Sequence, residues 1–152
     1  MLGGSSMSKV VLSESAFEML IKHLVSIEEK KRNIIDYYFP HFSKEREEFE
    51  KYFEEYIIQI DQLIRKSVKG KTACDNLPFV TIGSEIKVEE LTEHKIYMFR
   101  LVSPFDENIG MDDVSFLSPV GKSLLLKRID DEVTVNVPDG IFNYKIKSIK
   151  LH

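Results

Sequence analysis

The side chains able to do chemistry in this chain crowd into one short stretch. His41, Ser43, Lys44 and Glu45 follow one another just after Pro40, with Glu47 and Glu48 close behind. An imidazole titrates near neutral pH and can move protons. Carboxylates can hold hard cations through oxygen, and an ammonium can meet a phosphate. No second group is spaced to orient His41 as a general base, and a lone exposed histidine needs no catalytic role. Glutamates at a helix start also have an electrostatic reason to be there, since they complement its positive end. A second cluster, Lys30-Lys31-Arg32, offers cations to nucleic-acid phosphates, with Lys51 as a candidate neighbour. Its plainer reading is a solvated helix face. Cys74 is the single cysteine and lacks a His or Asp at catalytic spacing, which leaves an inert thiol. No Walker loop, dinucleotide glycine motif or paired-histidine metal motif occurs.

These residues sit between two arms. Phe17, Leu20, Leu24, Ile27, Lys31, Ile34 and Tyr38 alternate in threes and fours, the seam pattern of a coiled coil. Phe49, Phe53, Tyr56, Ile60 and Leu63 repeat it on a return arm. Pro40 disfavours helix at Phe39 and should end the first arm there. Ser43 is placed to cap the second arm, and Ser13 the first, with Ser15 and Glu18 as an alternative box. An arm of about 25 residues would reach roughly 35–40 Å. Lys31 falls on a seam position, where a lysine can set register or snorkel its head outward. The second arm should end near Ser67, with Gly70 as the stop.

Beyond a linker the period changes from helical to strand-like. Phe79–Ile82, Glu85–Val88, Lys95–Val102, Val114–Leu117, Val133–Val137 and Phe142 onward read as strands, with turns at Gly83-Ser84 and Pro138-Asp139-Gly140. Ser103-Pro104 breaks the third of them. Ser118-Pro119 opens a short helix through Leu126, with serine as cap and proline in the first turn. The reading is therefore α+β: an antiparallel coiled-coil hairpin over residues 9–69, a linker over 70–78, and an antiparallel sheet with one short helix over 79–152. Residues 1–6 read as a fusion remnant before Met7, and residues 1–8 together as remnant and leader to the hairpin.

Composition narrows the function. The 152 residues are 43% hydrophobic and 30% charged, with a net charge of -4, which speaks against a wholesale basic nucleic-acid binder. One cysteine fits a reducing, cytoplasmic setting. No apolar run approaches the roughly 18 residues a membrane span needs.

The order of motifs in the second half resembles the C-terminal domain of the bacterial GreA/GreB transcript-cleavage factors. Val114-Ser115-Phe116-Leu117-Ser118-Pro119-Val120-Gly121-Lys122-Ser123-Leu124-Leu125 carries most of the likeness, followed by Asp130-Asp131-Glu132-Val133-Thr134-Val135 and Pro138-Asp139-Gly140. Leu12-Ser13-Glu14-Ser15-Ala16-Phe17-Glu18-Met19-Leu20 is similar to that family's helix opening. The resemblance implies an FKBP-like globular domain behind the coiled-coil finger. It implies RNA polymerase as partner, docked through Leu117, Ser118 and Pro119 at the rim of the secondary channel, with transient contact to the RNA 3′ end. A helix cap alone would also account for Ser118-Pro119.

At the tip the sequence departs from that family. Its cleavage factors carry an Asp and a Glu three positions apart, which help hold a second Mg²⁺ shared with the polymerase active site. Here His41 and Lys44 stand at those positions. An imidazole is a poor Mg²⁺ ligand, and an ammonium repels the ion. The finger is also shorter by roughly two turns, about 10 Å. The resemblance thus implies a polymerase-binding regulator, not itself an enzyme, with weak or absent cleavage stimulation. Glu45 or Glu47 could restore a metal ligand if the tip is rearranged, giving an active cleavage factor. A scaffold protein self-associating through the hairpin, where Tyr52, Phe53 and Tyr56 add bulk, is the reading from another class.

Overall fold

A computed structural model describes residues 10–71, 76–103 and 110–151. The readings on residues 1–8, on Cys74 and on the break at Pro104 lie outside them. The chain forms two compact units, Met1–Cys74 and Asp75–His152.

The first unit is the helical hairpin. Helix α1 runs Glu14–Tyr38 and helix α2 Lys44–Arg65. Ser13 starts α1, its Oγ accepting from Ala16 N at 3.0 Å. The helix stops one residue before Phe39, whose N–H donates to Ile35 O at 2.8 Å. Pro40 follows and cannot continue the ladder. The seam is as spaced: Leu20, Ile27 and Ile34 are buried on α1, and Phe49, Phe53, Tyr56, Ile60 and Leu63 on α2. Cross-arm pairs step backward along α2 as they step forward along α1: His23 with Tyr56, Lys31 with Glu54, Asp36 with Arg46. The arms are therefore antiparallel.

The aromatic bulk of the second arm turns inward. Phe53 and Tyr56 are buried. Tyr52 packs its ring 6.3 Å from that of Phe49 and buries its hydroxyl, and the burial pushes its pKa up. The buried Tyr56 hydroxyl is satisfied by His23 Nε2 at 2.7 Å, as a phenol in a dry seam requires.

Residues flanking the hairpin do more than lead in and stop. Strand β1 (Val10–Ser13) pairs in parallel with β2 (Ser67–Gly70), Val10 opposite Ser67 and Ser13 opposite Gly70. Segments flanking antiparallel helices would run in opposite directions, so a parallel register requires the chain to reverse at one junction. The chain passes from α2 to β2 within one residue, the C-cap Lys66, whose N–H donates to Gln62 O at 3.0 Å. Leu12 is fully buried beneath the pair.

The second unit is a five-stranded sheet in the order β5-β4-β3-β7-β6. Its strands are β3 (Ser84–Glu90), β4 (Lys95–Val102), β5 (Asp113–Ser115), β6 (Glu132–Val137) and β7 (Gly140–Leu151). Helix α3 spans Pro119–Leu124 and packs on β6 and β5. The architecture is α+β, but the sheet is mixed, because β5 joins β4 in parallel. Phe79–Ile82 is not a strand. Val80 is buried and ties to the segment after α3, donating to Lys127 O and accepting from Leu126 N, both at 2.9 Å. A turn closed by Ser84 Oγ on Thr81 O, with Gly83 at φ +94°, then leads into β3. The alternation Phe142-Tyr144-Ile146 also breaks. The β3–β7 register shifts at Lys87/Val88, so Lys147 is the extra residue and Ile149 turns into the core.

Candidate functional site

The apex of the hairpin is built by two opposed requirements. Pro40 ends α1, and Ser43 must restart a helix four residues after Phe39. Ser43 Oγ accepts from Arg46 N at 3.1 Å. Phe39 turns back into the seam and stacks on Phe49, centroids 4.9 Å apart. Its neighbours His41 and Lys44 are exposed, as are Glu45, Glu47 and Glu48, while Ser43 is half-buried. Phe42 at the apex is 96% exposed.

The residue that organises this tip is Arg46, only 6% exposed. Its Nη1 donates to Phe39 O at 2.6 Å, its Nη2 to Asp36 Oδ1 at 2.8 Å and its Nε to Glu50 Oε1 at 3.1 Å. One guanidinium thereby closes the end of α1, its last-turn carboxylate and the first turns of α2. It also lies 5.3 Å from the centroid of Phe42, over the ring. The Asp36 hydrogen bond, then Glu50, raises its pKa further above the ordinary value, against desolvation. Sequence reading passed over Arg46 as one charge in a charged helix start. A signal existed: stepping the α2 seam back three positions from Phe49 lands on it.

The apex does not fit a metal site of its own. Among the described residues no three His, Cys, Asp or Glu side chains converge as ligands. Asp36 and Glu50 are engaged by Arg46 instead. The Lys30-Lys31-Arg32 cluster does not form one patch. Successive helical residues point about 100° apart, and Lys31 Nζ is engaged across the seam by Glu54 Oε1 at 2.8 Å, which holds that carboxyl below its usual range. Lys30 and Arg32 remain exposed.

In the second unit Leu117 and Ser118 are half-buried and Pro119 is exposed. Ser118 Oγ accepts from Gly121 N at 3.1 Å and donates to Ser115 O at 2.7 Å, so its hydroxyl is fully used by the corner. Gly121 is buried against the end of β5. A Cβ there would stand 2.0 Å from Ser115 O and 2.8 Å from Phe116 Cα.

The model of the family described as "Transcription elongation factor, GreA/GreB, C-term" matches residues 75–151, half of the chain and nearly all of the second unit. This chain belongs to the GreA/GreB family. Its GreA relatives include the transcription elongation factor of Syntrophus aciditrophicus, 37% identical over 73 residues, and that of Clostridioides difficile, 33% identical over 97 residues. Those matches cover 48% and 64% of this chain, and 45% and 61% of the respective relatives. The chain thus matches less than two thirds of their length. The fold extends further. A solved GreA/GreB structure from Nitrosomonas europaea superposes with a TM-score of 0.54 at 19% identity, covering 93% of this chain and 99% of that one. Helical hairpin and mixed sheet together are therefore the GreA/GreB architecture, and the Ser118 corner lies inside the matched segment.

Proposed function

We propose that this chain is a transcription elongation regulator that binds RNA polymerase and stimulates transcript cleavage weakly or not at all. In this reading the unit over residues 79–152 docks at the rim of the secondary channel, with Pro119 and Leu117 as its contact, and the hairpin over 9–69 enters. Family membership and the relatives' names support the coarse role. The finer claim rests on one observation: the apex exposes His41 and Lys44 at the two positions in question, and the nearby Asp36 and Glu50 are held by Arg46, which leaves Glu45, Glu47 and Glu48 on the first turns of α2 as the exposed carboxylates. In this reading an apex that presents His41 and Lys44 contributes little to holding a second Mg²⁺. The chain would then act on a polymerase in the cytoplasm by occupying the channel, without chemistry of its own.

The test uses core polymerase stalled in a backtracked elongation complex with Mg²⁺. The expected result is co-sedimentation of the chain with polymerase, and little release of short 3′ RNA fragments. Robust fragment release would overturn the cleavage claim. If Glu45→Ala then abolished it with binding intact, the active-factor reading would replace ours. Absence of co-sedimentation would overturn the polymerase reading itself, and a self-associating hairpin would be the reading to pursue.

A further inference from the structure

Strand β6 is an edge of the second unit's sheet. The opposite edge, β5, is only three residues long, and a short edge is itself a guard against stray pairing. β6 is less protected. Beyond Glu132 at its start it carries no charge and no proline, and its register with β7 runs without a bulge from Glu132↔Lys145 to Val137↔Gly140. One bond fixes the direction of its main-chain groups. Ile146 N donates to Asp131 O at 3.0 Å, so in this antiparallel pair the odd-numbered residues bond β7. Glu132, Thr134 and Asn136 therefore turn their N–H and C=O groups outward. Among the described residues nothing hydrogen-bonds those outward groups. The side chains of Thr134 and Asn136 are exposed on one face, while Val133 and Val135 are buried on the other, where α3 packs.

We propose that the β6 edge pairs with the β6 edge of a second copy of this chain, antiparallel across a two-fold axis at Thr134. In that register Thr134 stands opposite its own copy, Glu132 opposite the copy's Asn136, and Val133 opposite the copy's Val135. All the outward N–H and C=O groups then find partners. The side chains match position by position: hydroxyl meets hydroxyl, the carboxylate meets an amide that can donate to it, and valine meets valine. No like charges fall opposite one another. Moving the axis to Val135 would set Asp131 against the copy's Asp139, and Glu132 against the copy's Pro138, which has no N–H to give. A strand that answers its own chemistry in reverse order favours a second copy over a foreign strand. The contact is isologous and uses up both β6 edges, so it stops at a dimer. The proposal concerns the sheet and not the hairpin, and it does not depend on polymerase binding.

The test is sedimentation equilibrium of the whole chain from micromolar to near-millimolar concentration. A reversible monomer–dimer equilibrium is expected; a monomer throughout, or assembly beyond the dimer, overturns the proposal. Thr134→Lys and Thr134→Glu each set like charges face to face at the axis and should weaken the dimer several-fold, while an equimolar mixture of the two should restore it. Each loses only the exposed bond from Thr134 Oγ1 to Asn143 Oδ1 at 2.8 Å and should still fold. Val25→Glu, on the exposed side of α1, should leave the dimer unchanged. Unchanged association of the Thr134 variants, or its loss in Val25→Glu, overturns the assignment to β6. Amide exchange gives a reading without any substitution. The Thr134 and Asn136 amides should exchange fast in dilute protein and become protected as concentration rises. The Val133 and Val135 amides, bonded to β7, should stay protected throughout. Exchange at Thr134 and Asn136 that ignores concentration overturns the pairing.

Discussion

Two helices in this molecule begin in the same way and end in opposite circumstances. At Ser43 and at Ser118 a serine oxygen accepts from the backbone N–H three residues on, with a proline close by. The difference lies in the residue that supplies that N–H. At the hairpin apex it is Arg46, whose long side chain returns to the preceding helix and leaves Phe42 outside. At α3 it is Gly121, whose missing side chain lets the helix settle onto the end of β5. Local capping decides where a helix starts. The third residue decides whether that start faces the solvent or the core.

The comparison can be broken most severely at Gly121. Gly121→Ala forces a methyl onto the Ser115 carbonyl, and the second unit should lose about 3 kcal/mol or more, read by urea denaturation. A loss of a few tenths would mean that α3 lifts off β5 without cost. Next comes Arg46→Met, which keeps the volume and removes the donors. Amide exchange over residues 36–46 should accelerate about tenfold or more, with the Phe53–Leu63 seam still protected; unchanged exchange at the apex would show that the clamp is decorative. Ser43→Ala and Ser118→Ala should each cost about 1 kcal/mol, the ordinary value of a cap. The two sites separate under a subtler change. Ser118 also donates to Ser115 O, and an ionised aspartate cannot donate. Ser118→Asp should therefore cost about 1 kcal/mol, whereas Ser43→Asp should change thermal stability little. Equal responses would erase the distinction between the two corners.

Much of this was legible because it is local. The heptad spacing, Pro40 as a stop, both serine caps and most strands follow from neighbours within a few positions. What escaped depends on partners far along the chain. Arg46 reads as one more charge until Asp36, ten residues back, is brought beside it. Phe79–Ile82 has a strand's composition, but its backbone partners belong to the segment after α3. The parallel join of β5 to β4 and the extra residue at Lys147 are set by sheet assembly, which alternation alone cannot report. At the candidate site the residue types were readable, including His41 and Lys44 just beyond Pro40. The exposure of Phe42 was not, since a Phe two residues beyond Pro40 reads equally well as core.

The parallel pair at the foot of the hairpin fixes something besides stability. Packed helices held at one end can slip past each other by a turn, about 5.4 Å. These are tied at the apex by Arg46 and at the foot by four paired positions from Val10↔Ser67 to Ser13↔Gly70. A slip would unmake all four and pull Leu12 from cover. The hairpin is thereby a ruler of set length. Its graduation is the number of residues in each arm, and a residue added to one arm without a counterpart in the other would bend the ruler before it lengthened it.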